Sequence, residues 1–299
     1  MLTRRQAMAA SAALLVAVPA RAQAPLKVIA SFSILADLVR NVGGDRLEVA
    51  TLVGPNGNAH VYSPSPADAK KVADARVVFV NGLGFEGWLD RLVKASGSKA
   101  TIVVATNGIK PRERGGDAHG HDHGRIDPHA WQSVANVKVY VGNIRDALSR
   151  VDPAGKAAYE ANAAAYRAKL DALEQEVKAA IAKIPPERRR VITSHNAFGY
   201  FGDAYGIEFT APQGVSTEAE ASAKDIAAII TLIKRKQVSA VFLENVTDPR
   251  LVQRIASETG AKVGGKLYSD ALTDEKGDAT SYIDLIRHNL KQLAGALMS

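Results

Sequence analysis

The sequence predicts an α/β protein of two lobes, each with a mainly parallel sheet, joined by one long rigid α-helix. Three observations favour this fold. Short β-branched runs alternate with helical patterns over residues 26–106, the alternation resumes after residue 190, and a continuous helical stripe lies between the two regions. Strands that alternate with helices form βαβ units, whose strands run parallel.

The elements of each lobe follow from local patterns, with β-branched runs as strands and apolar steps of three or four as helices. Strands are predicted at residues 26–33, 47–53, 76–82, 101–106, 190–194, 207–211, 238–245 and 261–269. Helices are predicted at residues 34–42, 66–75 and 85–96, after Trp131, and at 280–297. Residues 107–127, rich in glycine, charge and histidine, are predicted to form a surface loop.

The joining helix is predicted over residues 153–184, where apolar residues fall at steps of three and four. Asp152 is a candidate N-cap before Pro153. A helix of about 32 residues spans roughly 48 Å, which favours a helix joining two lobes over a crossover within one sheet. The predicted domains are therefore an N-terminal lobe at 25–152, this helix, and a C-terminal lobe at 185–299.

Residues 1–24 have the pattern of a secretory signal peptide. Arg4 and Arg5 precede an apolar run over residues 9–18, and small residues allow cleavage after Ala22 or Ala24. The two arginines leave both the general secretory and the twin-arginine export routes open. The chain has no cysteine, hence no thiolate ligand and no acceptor for a lipid anchor. We therefore expect a periplasmic protein without a lipid anchor.

The positive charge of the chain does not indicate a nucleic-acid partner. Of the formal net charge of +7, three charges belong to Arg4, Arg5 and Arg21 in the predicted signal peptide, which leaves +4. The remaining basic residues are mixed with acidic ones, and no basic block with interleaved aromatic residues occurs. We expect a monomer that does not bind nucleic acid.

Four potential metal ligands lie at predicted strand-to-helix junctions: His60, His129, His195 and Asp270. Ligands of parallel α/β sheets bind outside the carboxyl ends of the strands, so these four side chains are able to converge in a cleft between the lobes. Imidazole and carboxylate groups suit Zn²⁺, and Mn²⁺ less tightly. Four protein ligands also close the coordination sphere, which favours metal binding over catalysis.

Each of these residues also has a purely structural interpretation. His60 lies in a Gly/Asn-rich turn typical of a surface residue, His195 could bond a neighbouring loop, and Asp270 could cap a helix. Asp127 and Glu244 are candidates for acids that orient ligand imidazoles, although a turn aspartate and a surface acid explain them equally well. The shared placement, two residues per lobe, favours the metal site.

The sequence resembles the zinc/manganese-specific solute-binding proteins of bacterial ABC importers (cluster A-I) from about residue 26 to its end. The resemblance is carried by "HVYSPSP" at His60, "DPHAW" at His129, "SHNAFGYF" at His195 and "YSDAL" at Asp270, around the long helix. It implies that these four residues are the metal ligands. One departure is Asn58-Ala59, where the family often has an acidic residue and a proline.

The remaining histidines of the loop form an alternating tract, His119, His121 and His123, which is able to hold metal loosely. Such loops resemble those of the zinc-importing branch of the family. The sequence thus predicts a periplasmic zinc receptor, not an enzyme, that delivers metal to the membrane permease of an ABC importer. A manganese receptor is the first alternative. A secreted mononuclear zinc hydrolase is the second, although the sequence has no HExxH motif.

Overall fold

The computed structural model describes residues 24–113, 126–236 and 238–298, and its main feature is a pair of four-stranded parallel sheets. The predicted signal peptide, apart from residue 24, and the histidine tract lie outside these ranges. Within the described part of the chain, no helix combines the length and the apolar character needed to span a bilayer.

The first sheet has the strand order β2-β1-β3-β4. Its strands are β1 Leu26–Phe32, β2 Leu47–Val53, β3 Val77–Val80 and β4 Thr101–Val104. The helices of this region are α1 Ser33–Gly43, α2 Pro66–Asp74 and α3 Leu89–Ser96. Helix α2 begins at a capping box, in which Ser65 and Asp68 satisfy each other's backbone N–H groups, with Pro66 at the first helical position.

The prediction of a surface loop over residues 107–127 is wrong at residues 112–113 and 126–127. Its ends pair as a short antiparallel ribbon, β5 Arg112–Glu113 with β6 Ile126–Asp127. Asp127 is fully buried there because its carboxylate contacts His129 and Arg112.

Two long helices follow, α4 Val134–Val151 and α5 Lys156–Ala182. Helix α5 contacts α1 and α4 of the first region as well as α6 Gly199–Tyr205 and α9 Tyr282–Leu297 of the second. Its predicted apolar stripe is buried, from Tyr159 through Leu170 to Ile181. This helix therefore packs against both lobes, as the sequence predicted for a joining helix.

The predicted start of this helix is wrong in detail. Residues Pro153–Gly155 form a 3₁₀ turn, and Asp152 makes no capping hydrogen bond. The Asp152 carboxylate instead accepts from the Arg46 guanidinium at 2.8 Å and from the Tyr159 hydroxyl at 2.7 Å. With 27 residues, α5 spans roughly 40 Å rather than 48 Å.

The second sheet has the strand order β10-β9-β7-β8. Its strands are β7 Arg190–Ile192, β8 Glu208–Thr210, β9 Ala240–Glu244 and β10 Val263–Leu267. Two further helices, α7 Ala223–Lys236 and α8 Arg250–Thr259, pack on it through a small apolar cluster that includes Ile192, Ile229 and Ile255. This cluster is separate from the main core, which runs from the first sheet through α5 to α9.

Candidate metal centre

The four predicted ligands lie at the carboxyl ends of the sheets and on the loops beside them. His60 follows β2, His195 follows β7, and Asp270 follows β10, while His129 comes directly after β6. All four side chains are buried, and one potential ligand atom from each lies within 4.8 Å of the others. The structure therefore brings together all four residues that the sequence singled out.

The separations around Asp270 resemble those of a coordination sphere. Asp270 Oδ2 lies 3.2 Å from Nε2 of both His60 and His195. Asp270 Oδ1 lies 3.5 Å from His129 Nε2, and the Nε2 atoms of His60 and His129 are 3.3 Å apart. A tetrahedron with metal–ligand bonds of about 2.0–2.1 Å has edges of about 3.3–3.4 Å. The four groups are thus spaced to hold a divalent cation.

The carboxylate of Asp270 lacks well-aligned hydrogen bonds from the protein. Both of its oxygens are buried, and the imidazoles that face them at 3.2–3.5 Å do not have hydrogen-bond geometry. Buried polar atoms without a partner carry a large desolvation cost. A bound cation would remove that cost for Asp270.

Two buried carboxylates orient two of the imidazole rings. Asp127 Oδ1 lies 2.8 Å from His129 Nδ1 and accepts the backbone N–H of His129 at 3.0 Å. Glu244 Oε2 lies 2.5 Å from His195 Nδ1, and its other oxygen accepts the backbone N–H groups of Ser194 and His195 at 2.7 and 2.9 Å. A carboxylate on Nδ1 leaves Nε2 free to bind metal. Glu244 is therefore not an ordinary surface acid.

His60 is positioned by an amide and an aromatic ring rather than by a carboxylate. Its N–H donates to Asn58 Oδ1 at 3.0 Å, and its ring packs edge-on against Phe85 with 4.8 Å between ring centroids. Asn58 stands where the resembling family often has an acidic residue, and its amide oxygen is the acceptor within this turn.

The sequence did not reveal the groups that position the Asp270 loop. The Trp131 indole and the Gln132 amide both donate to the carbonyl of Ser269, at 2.9 and 2.8 Å. Asn289 of α9 exchanges two hydrogen bonds with the backbone of Tyr268, at 2.8 and 2.7 Å. These contacts join residues more than a hundred positions apart or on separate elements, so no local pattern indicates them, although Trp131 lies within "DPHAW".

A second missed group is Arg112 of β5. Its Nη1 lies 3.5 Å from Asp127 Oδ2, while its Nε donates to Asp203 at 2.8 Å. Gly199, at the start of α6, leaves space for this pair. A Cβ atom at Gly199 would lie 2.5 Å from Arg112 Nη1 and 2.6 Å from Asp127 Oδ2.

Charge in the centre is distributed unevenly among the ligands. Burial acts to lower the pKa of His195, but the carboxylates of Glu244 and Asp270 outweigh it and raise that pKa well above its usual value. Burial lowers the pKa of His60, against a partial opposing effect of Asp270. Burial acts to raise the pKa of Asp270, but His195 and His129 hold it well below its usual value. The two carboxylates therefore favour the protonated form of His195 in the metal-free protein, and a divalent cation would compete with that proton.

The chain is similar to known metal-binding proteins over almost its whole length. A family model described as "ZnuA: Zinc-uptake complex component A periplasmic" matches residues 28–296. The manganese-binding lipoprotein MntA of Halalkalibacterium halodurans is 36% identical over 273 residues, covering 91% of this chain and 88% of the relative. The manganese ABC transporter substrate-binding lipoprotein PsaA of Streptococcus pneumoniae is 32% identical over 278 residues, covering 91% and 89%.

A solved structure that shares the fold is named for a different metal, zinc. The periplasmic zinc-binding protein TroA from Treponema pallidum superposes with a TM-score of 0.84 at 27% identity, covering 91% of this chain and 99% of that one. The names of the two sequence relatives describe lipoproteins, so they do not support the expectation of an unanchored protein.

Proposed function

The chain belongs to the zinc-uptake component A family of metal-binding substrate-binding proteins of ABC importers, and we propose that it is a periplasmic receptor for Zn²⁺. Proteins of this family bind and hand over a metal ion and are not enzymes. In the proposal, His60, His129, His195 and Asp270 hold the ion, and the membrane permease of an ABC importer receives it.

The observation that carries the proposal is the convergence of three imidazoles and one carboxylate in a buried cluster. Four protein ligands leave no open position for a catalytic water, which is the arrangement of a binding site rather than a hydrolytic one. The buried carboxylate of Asp270, which faces all three imidazoles, marks the place that the cation would take.

Zinc is favoured over manganese by the chemistry of the ligands. Three of the four are imidazole nitrogens, and affinity at such sites rises from Mn²⁺ toward Cu²⁺ and remains higher for Zn²⁺ than for Mn²⁺. Three separations, those of Asp270 Oδ2 from His60 and His195 and that between His60 and His129, are 3.2–3.3 Å, close to the edges of a tetrahedral zinc site.

Manganese is a second candidate, and two observations favour it. Asp270 turns Oδ2 toward His60 and His195 and Oδ1 toward His129, so both oxygens face the centre and could bind together. Two relatives that match most of this chain are also named for manganese. A bidentate carboxylate would raise the coordination number to five, which suits an ion that prefers oxygen ligands.

Metal competition tests the proposal. Metal-free protein is loaded with equal concentrations of Zn²⁺ and Mn²⁺, unbound metal is removed, and bound metals are measured by elemental analysis. We expect one equivalent of metal, mostly zinc. Predominant manganese would identify the second candidate, and the absence of bound metal would contradict the receptor function. Zinc-dependent turnover of an ester or a peptide would contradict a purely binding role.

A further inference from the structure

Asn58 connects a metal ligand to the opposite lobe. Its amide oxygen accepts the backbone N–H of His60 at 3.0 Å, within the N-terminal half. Its amide nitrogen donates to Thr217 Oγ1 at 2.8 Å and to the carbonyl of Val246 at 3.2 Å, both in the C-terminal half. One side chain thus contacts the ligand loop after β2 and the loops after β8 and β9.

These contacts lie beside a solvent-filled groove. Asn58, Thr217 and Val246 are half-buried and line this groove of about 400 Å³, whose other lining residues belong to the C-terminal half. Water is therefore able to take over their hydrogen bonds when the loops separate, so each bond contributes only modestly to holding the halves together.

The loops that Asn58 reaches belong to the part of the C-terminal half with its own core. Helices α7 and α8 pack on β7 and β9 through the small cluster around Ile229 and Ile255, separate from the main core. Helix α9 and the Asp270 loop are instead fastened to the N-terminal half, for example by the bond from Trp131 to Ser269 at 2.9 Å. Separation of the α7–α8 side from His60 would therefore disturb less packing than separation of α9.

We propose that Asn58 is a positioning residue that couples His60 to closure of the cleft and slows release of the bound metal. This inference rests on the proposed function, since it requires a metal held by His60. The amide is suited to the task because it has an acceptor for the His60 N–H and donors for Thr217 and Val246. A carboxylate at the same position would lack a donor for the Val246 carbonyl.

Two variants separate the cross-lobe contact from the local turn. Asn58→Ser keeps a side-chain oxygen for the His60 N–H but is too short to reach the other half. Thr217→Val removes the hydroxyl partner and leaves the Asn58–His60 turn intact. Thr231→Val is the matched control, because Thr231 lies exposed on α7 and its hydroxyl donates to the carbonyl of Ala227 within that helix.

The experiment measures the release of Zn²⁺ from loaded protein after rapid mixing with excess chelator, together with the rate of Zn²⁺ association. We expect release to be about three- to tenfold faster in Asn58→Ser and in Thr217→Val, with association and the metal-free melting temperature nearly unchanged. The double variant should release metal little faster than Asn58→Ser, because both changes remove the same contact. Thr231→Val should behave as the wild type.

Release at the wild-type rate in both test variants would overturn the proposal, as would equal acceleration in Thr231→Val. A change confined to association would also overturn it, because the contact forms only after the halves meet. Failure of the proposed function has a different result: the wild-type protein would then hold no Zn²⁺ for the chelator to remove.

Discussion

His195 and Glu244 form a buried pair behind the metal centre, with Nδ1 of the ring 2.5 Å from Oε2 of the carboxylate. Glu244 ends β9, and His195 lies three residues beyond the end of the neighbouring β7. Because the other Glu244 oxygen accepts two backbone N–H groups, the carboxylate is fixed and in turn fixes the ring. The pair directs Nε2 of His195 toward Asp270.

We expect Glu244→Gln to weaken zinc binding by roughly 10- to 100-fold. The amide oxygen of Gln would keep the two backbone bonds, which places its NH₂ group against His195 Nδ1. The ring would then carry its proton on Nε2, where the metal should bind. Chelator competition measures the affinity. Glu258→Gln is the matched control, because Glu258 is exposed on α8 and pairs with Arg254. An equal loss in both variants would contradict the role of Glu244.

Zinc should raise the melting temperature of the wild-type protein, and His195→Ala should lose most of that rise. A ligand present at about 1,000 times its dissociation constant stabilises the folded state by about 4 kcal/mol. Thermal unfolding with and without zinc measures the effect. His288→Ala is the control, since His288 contacts Asp278 and Lys266 outside the metal cluster. An undiminished shift in His195→Ala would exclude His195 from the site.

The stability of the metal-free protein and the additional stabilisation by zinc should change with pH in opposite directions. The pKa of His195 is raised in the folded metal-free protein, so its stabilising effect is complete below the unfolded value of about 6.5 and is lost as pH rises through the folded value. Metal-free protein should therefore lose this stability toward alkaline pH. Zinc competes with the proton, so the stabilisation by zinc should grow over the same range.

Melting temperatures from pH 5 to 9, with zinc or with chelator, would show this as a widening difference between the two curves. The His195→Ala variant supplies the control, because its metal-free curve should lack the part of the slope that belongs to this group. A stabilisation by zinc that narrows as pH rises would contradict the assignment of the proton.

Gly199→Ala should destabilise the protein by about 1–3 kcal/mol and weaken metal binding. The new Cβ would lie 2.6 Å from Asp127 Oδ2, so the carboxylate that orients His129 must move. Gly142→Ala in α4 is the control, because the nearest atom would be 4.0 Å away and Ala is preferred within a helix by about 0.5–1 kcal/mol. Denaturant unfolding measures both. A stabilised Gly199→Ala protein would contradict the close approach.

The sequence by itself predicted the elements of both sheets, because burial on a sheet or helix imposes a periodicity that is visible within a few residues. Strand β2 lies at Leu47–Val53, as predicted, and the stripe of α5 is buried along its length. The sequence also singled out the four residues that converge in the buried cluster, because parallel strands direct their carboxyl ends to one edge and polar residues there are conspicuous.

Only the tertiary structure decided which acidic residues contact the imidazoles of the candidate metal centre. The local sequence around Asp127 would be the same whether it were a turn residue or a group beside the metal centre. The packing of Arg112 and Gly199 against its carboxylate shows that it is buried. The predicted N-cap at Asp152 was wrong for a similar reason. Its carboxylate accepts a hydrogen bond from Arg46, which lies 106 residues earlier in the chain.

The cross-lobe bonds of Asn58 were equally beyond the sequence, since its partners lie 159 and 188 residues away. Periodicity is set by the geometry of one helix or strand, and so a short window of sequence contains it. A hydrogen bond between distant loops depends on where the whole fold places two backbones, to within a few tenths of an ångström, and no short window contains that information.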